Sequence, residues 1–169
     1  MATDVQLTGA AYPLKIHGKE YSARTLTDKD HAELDAYVQS ELMRVARETL
    51  TSDMTTEERR EQLSAALSIV EGLSWGSVEG RRVMSSLKGM TRLGWQMIKH
   101  YQPKLEFEVF YEHLIKYNGV ERDNSDIQDA INKIDETFLI LNTSYTKTGE
   151  LDIDAEVEGD SAEDSKRTS

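Results

Sequence analysis

Apolar side chains recur along this chain in two rhythms. Over residues 12–26 the rhythm is two. Leu14 and Ile16 fall on one side, Lys15 and His17 on the other; past Gly18, Tyr21 and Ala23 alternate with Ser22 and Arg24. That alternation around a glycine predicts a β-hairpin with Gly18 in its turn. Two strands alone are marginal in water, so the hairpin is expected to pack on helices or to join another edge.

From Thr27 onward the rhythm lengthens to that of helices. Thr27 is a good N-cap, with Asp28 and Asp30 in the first turn, and Leu34, Val38, Leu42 and Val45 make a stripe that Tyr37 and Ala46 widen. Thr55 and Glu58 fit a capping box ahead of Leu63, Ala66, Leu67, Val70 and Leu73. A central helix is expected from Val83, Leu87, Met90, Gly94, Met97 and Tyr101. Gly80, Gly89 and Gly94 each weaken it by roughly 1 kcal/mol relative to alanine. Two readings follow: the glycines admit a neighbouring helix closely, or the helix kinks or breaks near Gly89. Pro103 stops this segment by disfavouring helical geometry at Gln102. Phe107, Phe110, Tyr111 and Leu114 then line the next helix, with Glu106 and Glu108 near its positive end and Asn118 or Gly119 as a left-handed C-cap. Ser125 is the expected cap of a last helix striped by Ile127, Ala130, Ile131, Ile134, Phe138 and Leu141.

After Leu141 the stripe ends and acid dominates. The expected architecture is therefore mainly α: a small N-terminal β-hairpin and a bundle of about five helices over residues 1–142, then a disordered, flexible acidic tail over 143–169. Leu151, Ile153 and Val157 alternate with acids in that tail, which reads as a short strand or a docking motif formed on binding.

Charge sharpens the division. The chain has 169 residues, is 38% hydrophobic and 30% charged, and carries a net charge of −11. Residues 150–169 hold eight acids and two bases, so −6 of the total lies there. Nucleic-acid binding through phosphates needs a basic surface and is disfavoured, as is an anionic membrane surface. A basic or mixed-charge protein partner, or solubility alone, fits better. The chain has no cysteine, which excludes disulfides, thiolate catalysis and Cys-based zinc sites. No apolar run approaches the roughly 20 residues that cross a bilayer. "MATDVQLTGAAYPLK" lacks a basic stretch followed by an apolar one, so no signal peptide is expected and the cytosol is the default compartment.

Catalytic chemistry finds little footing. Glu106, Glu108 and Glu112 do not share a helix face, and Glu57, Glu58 and Glu61 beside Arg59 and Arg60 read as a solvated face. The four histidines (His17, His31, His100, His113) lack ligand spacing. His100 and His113 flank the Pro103 corner, where a packing role outweighs a metal site without a third ligand. The serines form no nucleophile elbow and the glycines no phosphate loop. Trp95 sits on a rich apolar helix and favours the core; Trp75, between Ser and Gly, divides evenly between core and contact surface.

Two stretches together resemble the tail assembly chaperones of tailed bacteriophages. One is "LKIHGKEYSARTLTDKDHAELDAYV", a strand, a Gly-Lys-Glu turn, a second strand and an acidic helix start. The other is "GWQMIKHYQPKLEFEVFYEHL", a helix end with a basic-aromatic patch, then Pro, Leu and an acidic apolar helix. The likeness covers residues 14–50 and 94–117. One departure is Glu106, where the family pattern implies a Ser or Thr cap. The resemblance implies a short β element before a helical bundle, and a non-enzymatic chaperone in the host cell cytoplasm. Its partners would be the tape measure protein and the tail tube protein, with a homo-oligomer compatible and no cofactor, metal or catalytic residue. Candidate partner-binding residues are Trp75, Trp95, Tyr101, Phe107, Phe110 and Tyr111. The rival expectation is a structural virion component, such as a head–tail or tail-tube accessory protein.

Overall fold

The computed structural model describes residues 11–153, with side chains over 11–142. Among the described residues the chain is mainly helical, with six helices and two small antiparallel hairpins. Strands β1 (Tyr12–Ile16) and β2 (Lys19–Ala23) pair with Leu14 opposite Tyr21 and Ile16 opposite Lys19. His17 and Gly18 form the two-residue turn with φ of 49° and 78°, positive at both positions as the type I′ turn requires. Leu14, Ile16, Tyr21 and Ala23 all face inward and are at most 1% exposed, as the alternation predicts. The hairpin packs on helices rather than on a further strand.

Helix α1 (Asp28–Glu48) begins at a capping box in which Asp30 takes hydrogen bonds from the Thr27 N–H and hydroxyl at 2.9 and 2.8 Å. Helix α2 (Thr56–Val70) begins at the expected box of Thr55 and Glu58 and packs chiefly on α1.

The expected central helix is divided. Helix α3 (Val78–Met84) ends at Ser85, and helix α4 (Leu87–Ile98) starts afresh from Ser86. Both start the same way: the Ser77 and Ser86 hydroxyls each accept from a glycine N–H three residues on, Gly80 and Gly89, at 3.0 Å. Glycine is needed there because the chain folds back across it. A Cβ on Gly80 would lie 2.2 Å from the Ser74 carbonyl oxygen, and one on Gly89 2.5 Å from that of Val83. Gly94 follows the other reading, since α6 approaches so closely that a Cβ would sit 2.8 Å from Ile134 Cδ1.

Helix α5 (Phe107–Ile115) starts at Glu106, which makes no side-chain capping bond. Asn118 and Gly119 do not cap α5. With φ of 50° and 80° they turn a second hairpin, β3 (Lys116–Tyr117) with β4 (Val120–Glu121). Helix α6 (Asn124–Ile153) begins ahead of Ser125, its first turn closed by the Ile127 N–H on the Asp123 carbonyl. It also runs past the boundary expected at 142, because each added residue of an established helix gains a backbone hydrogen bond without a new nucleation cost. The rest of the expected acidic tail, 154–169, lies outside the described residues.

The main core joins both ends of the described chain: Leu14, Ile16, Tyr21 and Ala23 from the hairpin, Met97 and Ile98 from α4, Phe110 and Leu114 from α5, and Ala130, Ile134 and Leu141 from α6. A second cluster, Leu34, Val38, Met84 and Leu93, seats α1 on α3 and α4; Phe138 packs against both. The Arg24 N–H donates to the Met97 carbonyl at 3.0 Å, and His17 Nε2 lies 3.0 Å from the Leu114 carbonyl.

A group of charges ties the hairpin exit to α1 and α4. Asp30, 1% exposed, pairs with Arg24 at 2.9 Å and Lys99 at 3.4 Å. Burial alone would raise its carboxyl pKa; the Thr27 hydrogen bonds and the two cations outweigh it and hold it below the ordinary value. Lys99 also pairs with Glu33, which accepts from Gln96 Nε2 at 3.0 Å.

Candidate interaction surface

The Pro103 corner is closed by Trp95. Its indole Nε1 donates to the Leu105 carbonyl at 2.9 Å across the bend, which holds the end of α4 against the start of α5. That bond leaves the ring half-buried, edge-on to Phe107 at 6.1 Å between centroids. Phe107 in turn stacks with Tyr111 one turn along α5, at 5.9 Å and 25°. Phe107 is only 5% exposed, so Trp95 and Tyr111 present the outer surface of this aromatic row.

Arg92 lies at the centre of the row. Its guanidinium is 3.8 Å from the Phe107 ring centroid, 5.2 Å from Tyr37 and 5.4 Å from Trp95. Three rings around one guanidinium stabilise the cation by their negative faces. Burial, and then the charge of Glu41, push the Tyr37 phenol above its ordinary pKa. Among the described residues no carboxylate lies within salt-bridge distance of Arg92, and its Nε is buried without a partner. The neighbouring acids are engaged elsewhere: Glu41 with Arg44 and Lys88, Glu33 with Lys99 and Gln96.

The candidate residues read from the sequence thus divide. Trp95, Phe107 and Tyr111 come together at the corner. Phe110 does not join them: it is fully buried in the main core, edge-on to Tyr21 at 5.3 Å. Its position on the inner side of α5 makes it a support for the surface and removes it from direct contact. Trp75 is also apart. It pins the turn before α3, with its N–H on Asp35 at 2.7 Å, its indole on His31 Nδ1 at 3.0 Å and its ring edge-on to Phe138. Tyr101 is 38% exposed beside His100.

His100 and His113 are not brought together. His113 faces His17 at 5.9 Å and Tyr21 at 6.1 Å, under the first hairpin. Among the described residues no group of three or more His, Cys, Asp or Glu side chains is arranged to hold a metal ion. No helix among the described residues is long and apolar enough to cross a membrane.

Arg92 and Tyr37 carry no signal as a pair in the sequence. Only the i, i+3 spacing of Arg92 and Trp95 was there to be read. Compared with known proteins, the chain matches no family model, no curated sequence and no solved structure.

Proposed function

We propose that the chain is a non-enzymatic assembly chaperone of the tailed-bacteriophage kind. On this reading it works in the host cytoplasm, holds the tape measure protein and promotes assembly of the tail tube around it. The observation that supports the reading is the corner surface. A half-buried Trp, two Tyr and an Arg in one contact network is the residue mix that dominates binding energy at protein interfaces. Its two outer aromatics lie on a framework fixed by the Trp95–Leu105 bond, so little side-chain freedom is lost on binding. Exposed Val45, Leu67 and Ile69 on α1 and α2 offer further apolar area. An extended amphipathic helix is the client form that such surfaces accept.

Co-expression tests it. A phage tape measure protein is expected to be insoluble when expressed alone and soluble when expressed with this chain. Trp95→Phe with Tyr111→Ala should weaken the complex by about tenfold or more, the scale of a hot-spot loss. Purified virions should lack the chain by mass spectrometry. A fixed number of copies in each virion would overturn the chaperone in favour of a structural component.

A further inference from the structure

The corner surface contains a cation without an anion in a chain that has anions to spare. Arg92 is half-buried, ringed by Tyr37, Trp95 and Phe107, and meets no described carboxylate. The other half-buried cations of α4 and the hairpin exit are treated differently: Lys99 has both Asp30 and Glu33, and Arg24 has Asp30. Aromatic faces offset part of the cost of taking a guanidinium out of water, but they supply no acceptor for its N–H groups. The geometry fits a planar carboxylate approaching from the solvent side, since a guanidinium backed by rings still offers its fork of donors to such a group.

The chain holds the matching group in residues 154–169. Those sixteen residues carry Asp154, Glu156, Glu158, Asp160, Glu163 and Asp164. Reach decides which of them can arrive. Ile134 of α6 lies against Gly94, two residues from Arg92 on α4. From Ile134 to the end of α6 at Ile153 the helix climbs about 28 Å, at about 1.5 Å per residue. Returning that distance takes about nine residues of extended chain, at about 3.3 Å each. By length alone Asp154 to Glu158 are too near the helix end to return, whereas Glu163 and Asp164, ten and eleven residues on, have about 33–36 Å of extended chain, enough for the return of about 28 Å with a few ångströms for the path round α4. Attachment to the same chain gives them an effective concentration in the millimolar range, well above that of a free acidic peptide in dilute solution.

We infer that Arg92 and its ring of Tyr37, Trp95 and Phe107 form a docking site for the acidic C-terminal segment of the same chain, with Glu163 and Asp164 on the guanidinium. The inference rests on the reading above in taking the corner as a docking surface, and it adds regulation. A client that uses the same corner would compete with the segment for it.

The chain has no cysteine, so a nitroxide placed on Ser165→Cys is its one labelled thiol. The readout is the indole N–H signal of Trp95 in the full-length protein, compared with the reduced, diamagnetic label. Docking in the same chain predicts that the nitroxide removes more than half of the Trp95 signal in low salt. The signal should return in 0.5 M salt, in Arg92→Ala, and in Glu163→Gln with Asp164→Asn. The last variant changes only the tail, so it answers the question even where Arg92→Ala fails to fold. A Trp95 signal untouched by the label overturns the inference, as does a loss equal in all variants. Loss of the Trp95 signal in isotope-labelled, nitroxide-free protein mixed with spin-labelled protein overturns it in favour of a second copy. No client is present in the experiment, so its failure leaves the chaperone reading standing, and failure of the co-expression test leaves this result standing.

Discussion

The hairpin–α4–α5–α6 half and α2, the outer helix of the α1–α2 arm, both carry apolar side chains at the spacing of their elements and end in different states. In the first, eleven side chains from five elements close on one another, and none is more than 5% exposed. In the second, α2 buries only Val70, while Leu67 is 47% and Ile69 70% exposed. The difference lies both in the stripe, which is weaker on α2 than on α4 or α5, and in the number of neighbours. Phe110 on α5 meets Tyr21 of the hairpin and the packed faces of α4 and α6; α2 lies chiefly against α1, and one helix cannot cover another's whole apolar face. A stripe in sequence states that a face wants cover, and only the tertiary fold states whether cover is provided.

The sharpest way to break this comparison is to truncate one residue on each side. Phe110→Ala is expected to cost about 3–5 kcal/mol, the usual loss for an aromatic in a closed core. Chemical denaturation reads it directly. Asp30→Ala should follow at about 2–3 kcal/mol, discounted from a fully buried pair because Arg24 and Lys99 keep some water contact. Leu67→Ala should cost less than about 1 kcal/mol and Ile69→Ser less than about 0.5 kcal/mol, as for surface positions. If Leu67→Ala cost as much as Phe110→Ala, the arm would be a covered element and the comparison would fail.

Acid sharpens the same contrast more gently. Burial holds His113 below its ordinary value of 6.5; the charges of Lys19 and Arg122 and the nearby His17 act in the same direction, and a hydrogen bond with the Ile16 backbone opposes them. The folded chain thus resists a proton that the unfolded chain accepts. This contribution to stability is complete above pH 6.5 and falls as pH drops below it toward the folded-state pKa. Tm measured from pH 7.5 to pH 5 should decline, and His113→Gln should flatten the decline. No histidine lies on α2, so Leu67→Ala should leave that profile unchanged.

The hairpin, the Thr27 cap and the Thr55–Glu58 capping box were legible because each is local: alternation about Gly18, a Thr at a helix start, and Thr with an acid three residues on need no distant partner. The division between α3 and α4 was half legible: a kink or break near Gly89 was one of two readings, and Val83, Leu87 and Met90, which stay in helical phase across it, could not decide between them. What marks it is a repeated Ser-x-x-Gly, Ser77 to Gly80 and Ser86 to Gly89, whose meaning depends on where the preceding turn passes. Asn118-Gly119 was ambiguous for another reason. A left-handed helix cap and a type I′ turn want the same residues, and two-residue strands are too short to show alternation. Of the corner surface, Trp95, Phe107 and Tyr111 were legible, and Tyr37 and the cation were not, since Tyr37 and Phe107 reach Arg92 from distant parts of the chain.

The first hairpin finds its cover on α6, the last helix. A ribosome delivers those parts in the opposite order to need. Leu14, Ile16 and Tyr21 emerge first and lack their full cover until Ala130, Ile134 and Leu141 have been synthesised, so nascent chains stalled before that point carry a partly open greasy ribbon and should precipitate or recruit holdases.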